Sequence, residues 1–166
     1  LKKEATIVNS ANLEEIPYFT DYTFSKDEQL VILATNEKAI YRRSALGNYY
    51  VYNVKEGSLD LISEDKIQEP TFSPDGKKVA FAKENNLYVK DLSSGKITQI
   101  TSDGEKNKVI NGITDWVYEE EFGFVRAFDW NADSNKIAFI RFDETNVPEF
   151  SMDVYGSELY QTQQVF

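Results

Sequence analysis

The feature that most constrains this chain is a repeat. Phe72-Ser-Pro-Asp-Gly-Lys-Lys-Val-Ala-Phe81 is echoed by Trp130-Asn-Ala-Asp-Ser-Asn-Lys-Ile-Ala-Phe139 and, more loosely, by Phe24-Ser-Lys-Asp-Glu-Gln-Leu-Val-Ile-Leu33. A second motif follows the first. Asn86-Leu-Tyr-Val-Lys-Asp-Leu-Ser-Ser-Gly95 matches Asn48-Tyr-Tyr-Val-Tyr-Asn-Val-Lys-Glu-Gly57, and short stretches at 97–101 and 59–63 come after them. Each unit reads as an aromatic, a turn, an apolar strand, a second strand, a glycine turn and a third strand. That is the grammar of a propeller blade. A complete small β-sandwich with accidental repeats is the competing arrangement. Recurrence of two motifs in one order favours blades.

Local chemistry agrees with an all-β chain. The sequence holds 11 Phe, 10 Tyr and 2 Trp, residues that fit pleated surfaces. Asp75-Gly76 and Asp103-Gly104 are hairpin signals, because such turns need positive φ. The expected architecture is about three blades of an irregular β-propeller, at roughly 24–63, 72–101 and 130–166. Propellers close with about four to eight blades. The chain is therefore expected to be a piece of a larger ring that continues past both ends. Against the tight copy at 72–101, two insertions stand out, at 35–47 and 102–129. Insertions into repeats commonly supply the binding face, so 38–48 and 110–129 are the places to look for function.

Composition narrows the chemistry. There are 18 Lys and Arg against 28 Asp and Glu, a net charge of −10, with neither His nor Cys among the 166 residues. No Ser-His or Cys-His pair, thiolate or ordinary zinc site can be assembled from such a chain. Strong negative charge argues against nucleic acid and anionic membranes as partners. The longest aliphatic stretch, 30–34, is far too short to span a bilayer, and no signal peptide is visible. Nucleotide-binding motifs and calcium-loop spacing are missing, so no cofactor or metal is expected.

The second insertion contains Asn111-Gly-Ile-Thr-Asp-Trp-Val-Tyr-Glu-Glu-Glu-Phe-Gly123. Thr114 or Asp115 can cap a short helix. Trp116, Val117 and Tyr118 are expected to anchor it in a core. Three consecutive acids, Glu119 to Glu121, form either a solvated surface or, where two converge, a site for one primary ammonium. The first insertion carries Tyr41-Arg42-Arg43-Ser44. Its arginines either balance surface charge or donate to a carbonyl or carboxylate in fork geometry. Asp143 and Glu144 are a weaker candidate, for paired-carboxylate chemistry.

The eleven-residue run Asn111 to Glu121 resembles the glutamate motif of dipeptidyl peptidase IV and its relatives in the prolyl oligopeptidase group of serine peptidases. Tyr41-Arg42-Arg43-Ser44 with Tyr50-Val-Tyr52 resembles that family's substrate-binding arginine segment, and the blade repeat fits its N-terminal domain. The resemblance implies an eight-bladed propeller followed by an α/β-hydrolase domain that carries Ser, Asp and His, so no catalytic residue lies in this chain. It implies removal of Xaa-Pro and Xaa-Ala dipeptides from peptides with a free N-terminus. It places the α-amine on Glu120 and Glu121 and the substrate's carbonyl region on Arg42, with Glu119 structural or surface. It further implies a homodimer, with 149–166 beginning an extended dimerisation arm, and a periplasmic, secreted or membrane-anchored setting. A non-catalytic binding module related to the family is the alternative.

Overall fold

A computed structural model describes residues 4–154 and 161–165. After a 3-10 turn at Ser10–Asn12, the chain builds a four-stranded antiparallel sheet from β1 (Asp21–Phe24), β2 (Leu30–Ala39), β3 (Ala45–Asn53) and β4 (Leu59–Leu61), in that order. A second sheet of the same form follows, from β5 (Gln68–Phe72), β6 (Lys78–Lys83), β7 (Asn86–Asp91) and β8 (Ile97–Gln99). Then come β9 (Val109–Asn111), helix α1 (Trp116–Phe122), β10 (Phe128–Trp130), β11 (Ile137–Phe139) and β12 (Arg141–Asp143). A hairpin of β13 (Phe150–Val154) and β14 (Gln161–Val165) ends the described chain.

The repeated sequence makes a repeated turn. Ser25 Oγ donates to Asp27 Oδ1 at 2.7 Å and receives Leu30 N at 3.0 Å. Ser73 Oγ donates to Asp75 Oδ1 at 2.6 Å and receives Lys78 N at 3.0 Å. These hydroxyls hold the carboxyls of Asp27 and Asp75 below the usual range, because they bond best to the ionised form. In the third copy Asn131 takes the serine's place, and its Oδ1 receives the N–H groups of Asn135 and Lys136. The turn is thus encoded locally, and it aims each following strand the same way.

The sheets stack face to face. Along β6, Val79 and Phe81 point into a cluster with Ile32 and Val51 of the first sheet and Ile62 and Ile67 of the link between the sheets. Their neighbours Ala80 and Ala82 point the other way, against Ile110, Ile113, Ala127, Phe128 and Phe142. Alternating side chains thereby feed two cores from one strand, which is why the stretch 79–82 of β6 is apolar on both faces. Fully burying a side chain such as Phe81, which is 1% exposed, contributes about 1.5–3 kcal/mol. Val31 and Leu33 use the remaining face of the first sheet, covered by Ile16 and the N-terminal segment. Stacked four-stranded antiparallel sheets of this kind are the blades of a β-propeller, and the chain forms part of one.

Three expectations need correcting. The stretch 35–47, expected as an insertion between two strands, belongs largely to those strands: β2 and β3 run on through it as one long hairpin, leaving only 40–44 as its tip. A register shift between Thr35 and Lys38, with Asn36 at φ 52°, lets the pairing continue past a bulge. The region 130–166 is not one blade either. β10 pairs with β11, but β12 pairs back with β9 from the second insertion. Finally, Trp116 and Val117 do not anchor the helix: they are 45% and 47% exposed. Of the span 149–166 expected to form an arm, β13 and β14 pair antiparallel with each other, while 155–160 and 166 lie outside the described residues.

Candidate functional site

The second insertion reads as a series of placements. Asn111 is fully buried, and its Nδ2 donates to Asp103 Oδ1 at 2.9 Å. Gly112 has φ +76°, and a Cβ there would meet the Leu87 side chain at 2.5 Å. Only glycine lets the backbone pass so close to the second blade. Thr114 Oγ1 donates to Phe124 O at 3.0 Å, closing the base of the helical loop. Asp115 is the N-cap, its Oδ1 receiving Tyr118 N at 2.8 Å. Gly123, in the left-handed conformation, ends the helix and donates its N–H to Glu119 O. The Tyr118 ring packs edge-on against Phe142, with centroids 4.7 Å apart.

The three acids then diverge, as successive helical residues must. Glu119 is the buried residue of α1, at 0% exposure. Its Oε1 receives the backbone N–H groups of Arg43 and Ser44, the latter at 3.0 Å. Glu120 is half-buried, and its Oε1 receives Arg42 Nε at 3.0 Å. Glu121 is exposed. The helix thus meets the hairpin tip of the first blade through two neighbouring carboxylates, one on its backbone and one on its arginine. Arg43 carries its guanidinium past Gly123, at the C-terminal end of the helix, where a cation is favourable.

Of the residues singled out by sequence, the structure brings Arg42 and Glu120 into contact and sets Glu121 on the same helical turn. Three carboxylates against two guanidiniums leave one net negative charge at this junction. The Arg42 side chain is 72% exposed, so its pairing with Glu120 leaves the guanidinium's remaining donors open to solvent. Such a constellation can receive one compact cation and one carbonyl or carboxylate oxygen side by side.

Asp143 and Glu144 do not form a free acid pair. Asp143 receives Arg141 Nη1 at 3.1 Å. Glu144 shares a hydrogen bond with the N-cap Asp115, and burial together with that neighbour pushes its carboxyl up to about 7. Glu144 and Asp115 line a cavity of about 870 Å³, with Tyr41, Ile113 and Trp116. That cavity opens beside the start of the helix and does not include Arg42, Glu120 or Glu121. Sequence reasoning also passed over Glu69. It sits at a bulge in β5 with φ 53°, and burial raises its carboxyl although Arg126 counteracts this. Nothing in the sequence marks it, since bulges of this kind carry no fixed residue pattern.

Blades stacked through apolar faces, with an acid-bearing helix meeting an arginine-bearing hairpin, define a β-propeller segment. The family model described as the dipeptidyl peptidase IV N-terminal region matches residues 25–166, and the chain belongs to that family. It is 37% identical over 144 residues to dipeptidyl peptidase 4 of Trichophyton rubrum, covering 84% of this chain and 18% of that protein. It is 33% identical over 158 residues to human prolyl endopeptidase FAP, covering 93% of this chain and 21% of the relative. Among solved structures, Porphyromonas gingivalis dipeptidyl peptidase 4 superposes with a TM-score of 0.89 at 38% identity, over 99% of this chain and 24% of the other. The chain spans about a fifth of the length of the curated relatives it matches.

Proposed function

We propose that this chain is the substrate-binding portion of a serine dipeptidyl peptidase that releases Xaa-Pro and Xaa-Ala dipeptides from peptide N-termini. Glu120 and Glu121 receive the substrate's α-ammonium, and Arg42 donates to its carbonyl region. The observation that carries this reading is the 3.0 Å contact between Arg42 Nε and Glu120 Oε1, which joins the two insertions. An α-amine has a pKa near 8 and is mostly cationic at neutral pH. Its three donors suit two carboxylates, and the net negative charge of the junction suits one ammonium. Family membership and relatives named as dipeptidyl peptidases support the same reading.

The mechanism is positioning. Holding the α-ammonium at a fixed place measures two residues to the bond that is cut, and presents its carbonyl to a nucleophile outside this chain. The chain has no His, so the base that activates a serine must come from another domain. This segment alone is therefore expected to be inactive. The same reading places the enzyme outside the cytoplasm, as a homodimer to which β13 and β14 contribute.

Hydrolysis of an Xaa-Pro chromogenic substrate by the full-length protein, beside the same peptide with an acetylated N-terminus, tests the proposal. Turnover of the free peptide and none of the blocked one is expected. Equal cleavage of both overturns it, an outcome worth testing because one relative is named an endopeptidase.

A further inference from the structure

We propose that Glu119 is the positioning residue of this site: its buried carboxylate sets where Arg42 stands relative to Glu120 and Glu121, acting through the backbone of the hairpin tip. The inference rests on the reading that those three residues bind the N-terminal end of a peptide, and it gives the first acid of the glutamate run a role distinct from the other two.

Burial is the first reason. A short amphipathic helix ordinarily docks by apolar side chains. Here Trp116 and Val117 are about half exposed, and the side chain with no exposed surface is an acid. A carboxylate is costly to bury unless donors compensate it. The donors are the N–H groups of Arg43 and Ser44, both directed at Oε1. The second oxygen, Oε2, is buried without a hydrogen-bond partner among the described residues. A half-satisfied buried acid is a local cost that stability alone does not explain, and such costs gather where a functional group must be placed.

The geometry of the tip is the second reason. Ile40 N donates to Ser44 O at 2.9 Å, and Tyr41 N donates to Ser44 Oγ at 3.3 Å. The tip is thereby closed on itself, and Glu119 grips its C-terminal side. Arg42 sits inside that closed turn, next to the gripped residue. Once the amides of Arg43 and Ser44 are fixed, the Cα of Arg42 has little freedom left. Its long side chain then needs only to extend to reach Glu120, one residue further along the same helix. Glu119 and Glu120 thus act in sequence: the first fixes the backbone, the second receives the head group.

The test uses the full-length enzyme and an Xaa-Pro chromogenic substrate. E119A is expected to lower kcat/KM by about tenfold to a hundredfold, the loss typical of reacting groups displaced by about an ångström. E119Q, whose amide oxygen can still accept both N–H groups, is expected to restore most of it. In an R42A background E119A should cost less than about threefold, because the residue through which it acts is gone. Full additivity of E119A and R42A, or E119Q as damaging as E119A, overturns the proposal. Amide hydrogen exchange gives a reading that needs no variant to fold: the N–H groups of Arg43 and Ser44 should be strongly protected in the wild-type enzyme, and loop-like exchange there overturns the clamp. Wild-type kcat/KM for R42A would instead overturn the site reading itself, even with both amides protected.

Discussion

Arg42 Nε stands 3.0 Å from Glu120 Oε1, although 78 residues separate them in the chain. The arginine belongs to a hairpin tip of the first blade and the glutamate to a helix inserted after the second. Their meeting joins two stretches far apart in the chain, and it underlies the proposed binding site. The pair is too exposed on the arginine side to hold the fold together, since surface ion pairs contribute about 0–1 kcal/mol.

A functional pair and a structural pair respond differently to mutation. Replacing Glu120 or Glu121 by alanine in the full-length enzyme is expected to lower kcat/KM for dipeptide substrates by about a hundredfold, through lost positioning. Thermal unfolding should move little. Near-normal turnover by either variant would sink the assignment.

Acetylating the substrate's N-terminus removes the positive charge and replaces the ammonium with a neutral amide. Loss of turnover is expected even with every enzyme residue intact. The comparison of kcat/KM for blocked and free forms of one peptide measures it.

Gly112 and Gly95 both have positive φ, at +76° and +71°, yet they should differ on substitution. A Cβ on Gly95 meets nothing within 4 Å, so Gly95→Ala carries the backbone term alone, about 1 kcal/mol. A Cβ on Gly112 would meet fully buried Leu87 at 2.5 Å. Gly112→Ala should therefore cost about 2–4 kcal/mol, from strain and overpacking together. Chemical denaturation of the two variants decides the matter, and equal losses would contradict the close approach.

The Glu144–Asp115 contact carries a pH signature. The Glu144 carboxyl lies at about 7 in the folded protein against an ordinary value of 4.5, raised first by burial and then by its Asp115 partner. A raised acid favours the protonated folded state. Its contribution is complete below about 4.5 and is lost as pH rises through about 7, when a second charge must form beside Asp115. Stability measured between those limits should fall with rising pH by this contribution, and Glu144→Gln should flatten that part of the profile. An unchanged pH dependence in the variant would argue against the shared hydrogen bond.

The local elements of this molecule are legible in its sequence. The repeated turns, the apolar stretch at 79–82 and a helix cap at Thr114 or Asp115, of which Asp115 is the one that forms, all rest on interactions between residues close in the chain. Their energies are settled by local order, so the sequence displays them as a pattern. Less visible was the continuation of β2 and β3 through polar residues at 35–39, because a bulge at Asn36 hides the strand period. The partial exposure of Trp116 and Val117 has a related cause: hydrophobicity states a preference for burial, while available space decides it.

By itself, then, the sequence determined a blade repeat, two insertions and the acids and arginine they carry. Tertiary structure alone decided which of three adjacent glutamates turns inward, that Glu119 grips the backbone of 43 and 44, and that Glu120 rather than Glu121 meets Arg42. The reason is geometric. Helical rotation separates neighbouring side chains by about 100°, so their roles depend on how the helix is set against a hairpin from another blade. That setting comes from blade stacking, a sum of contacts between residues far apart in the chain.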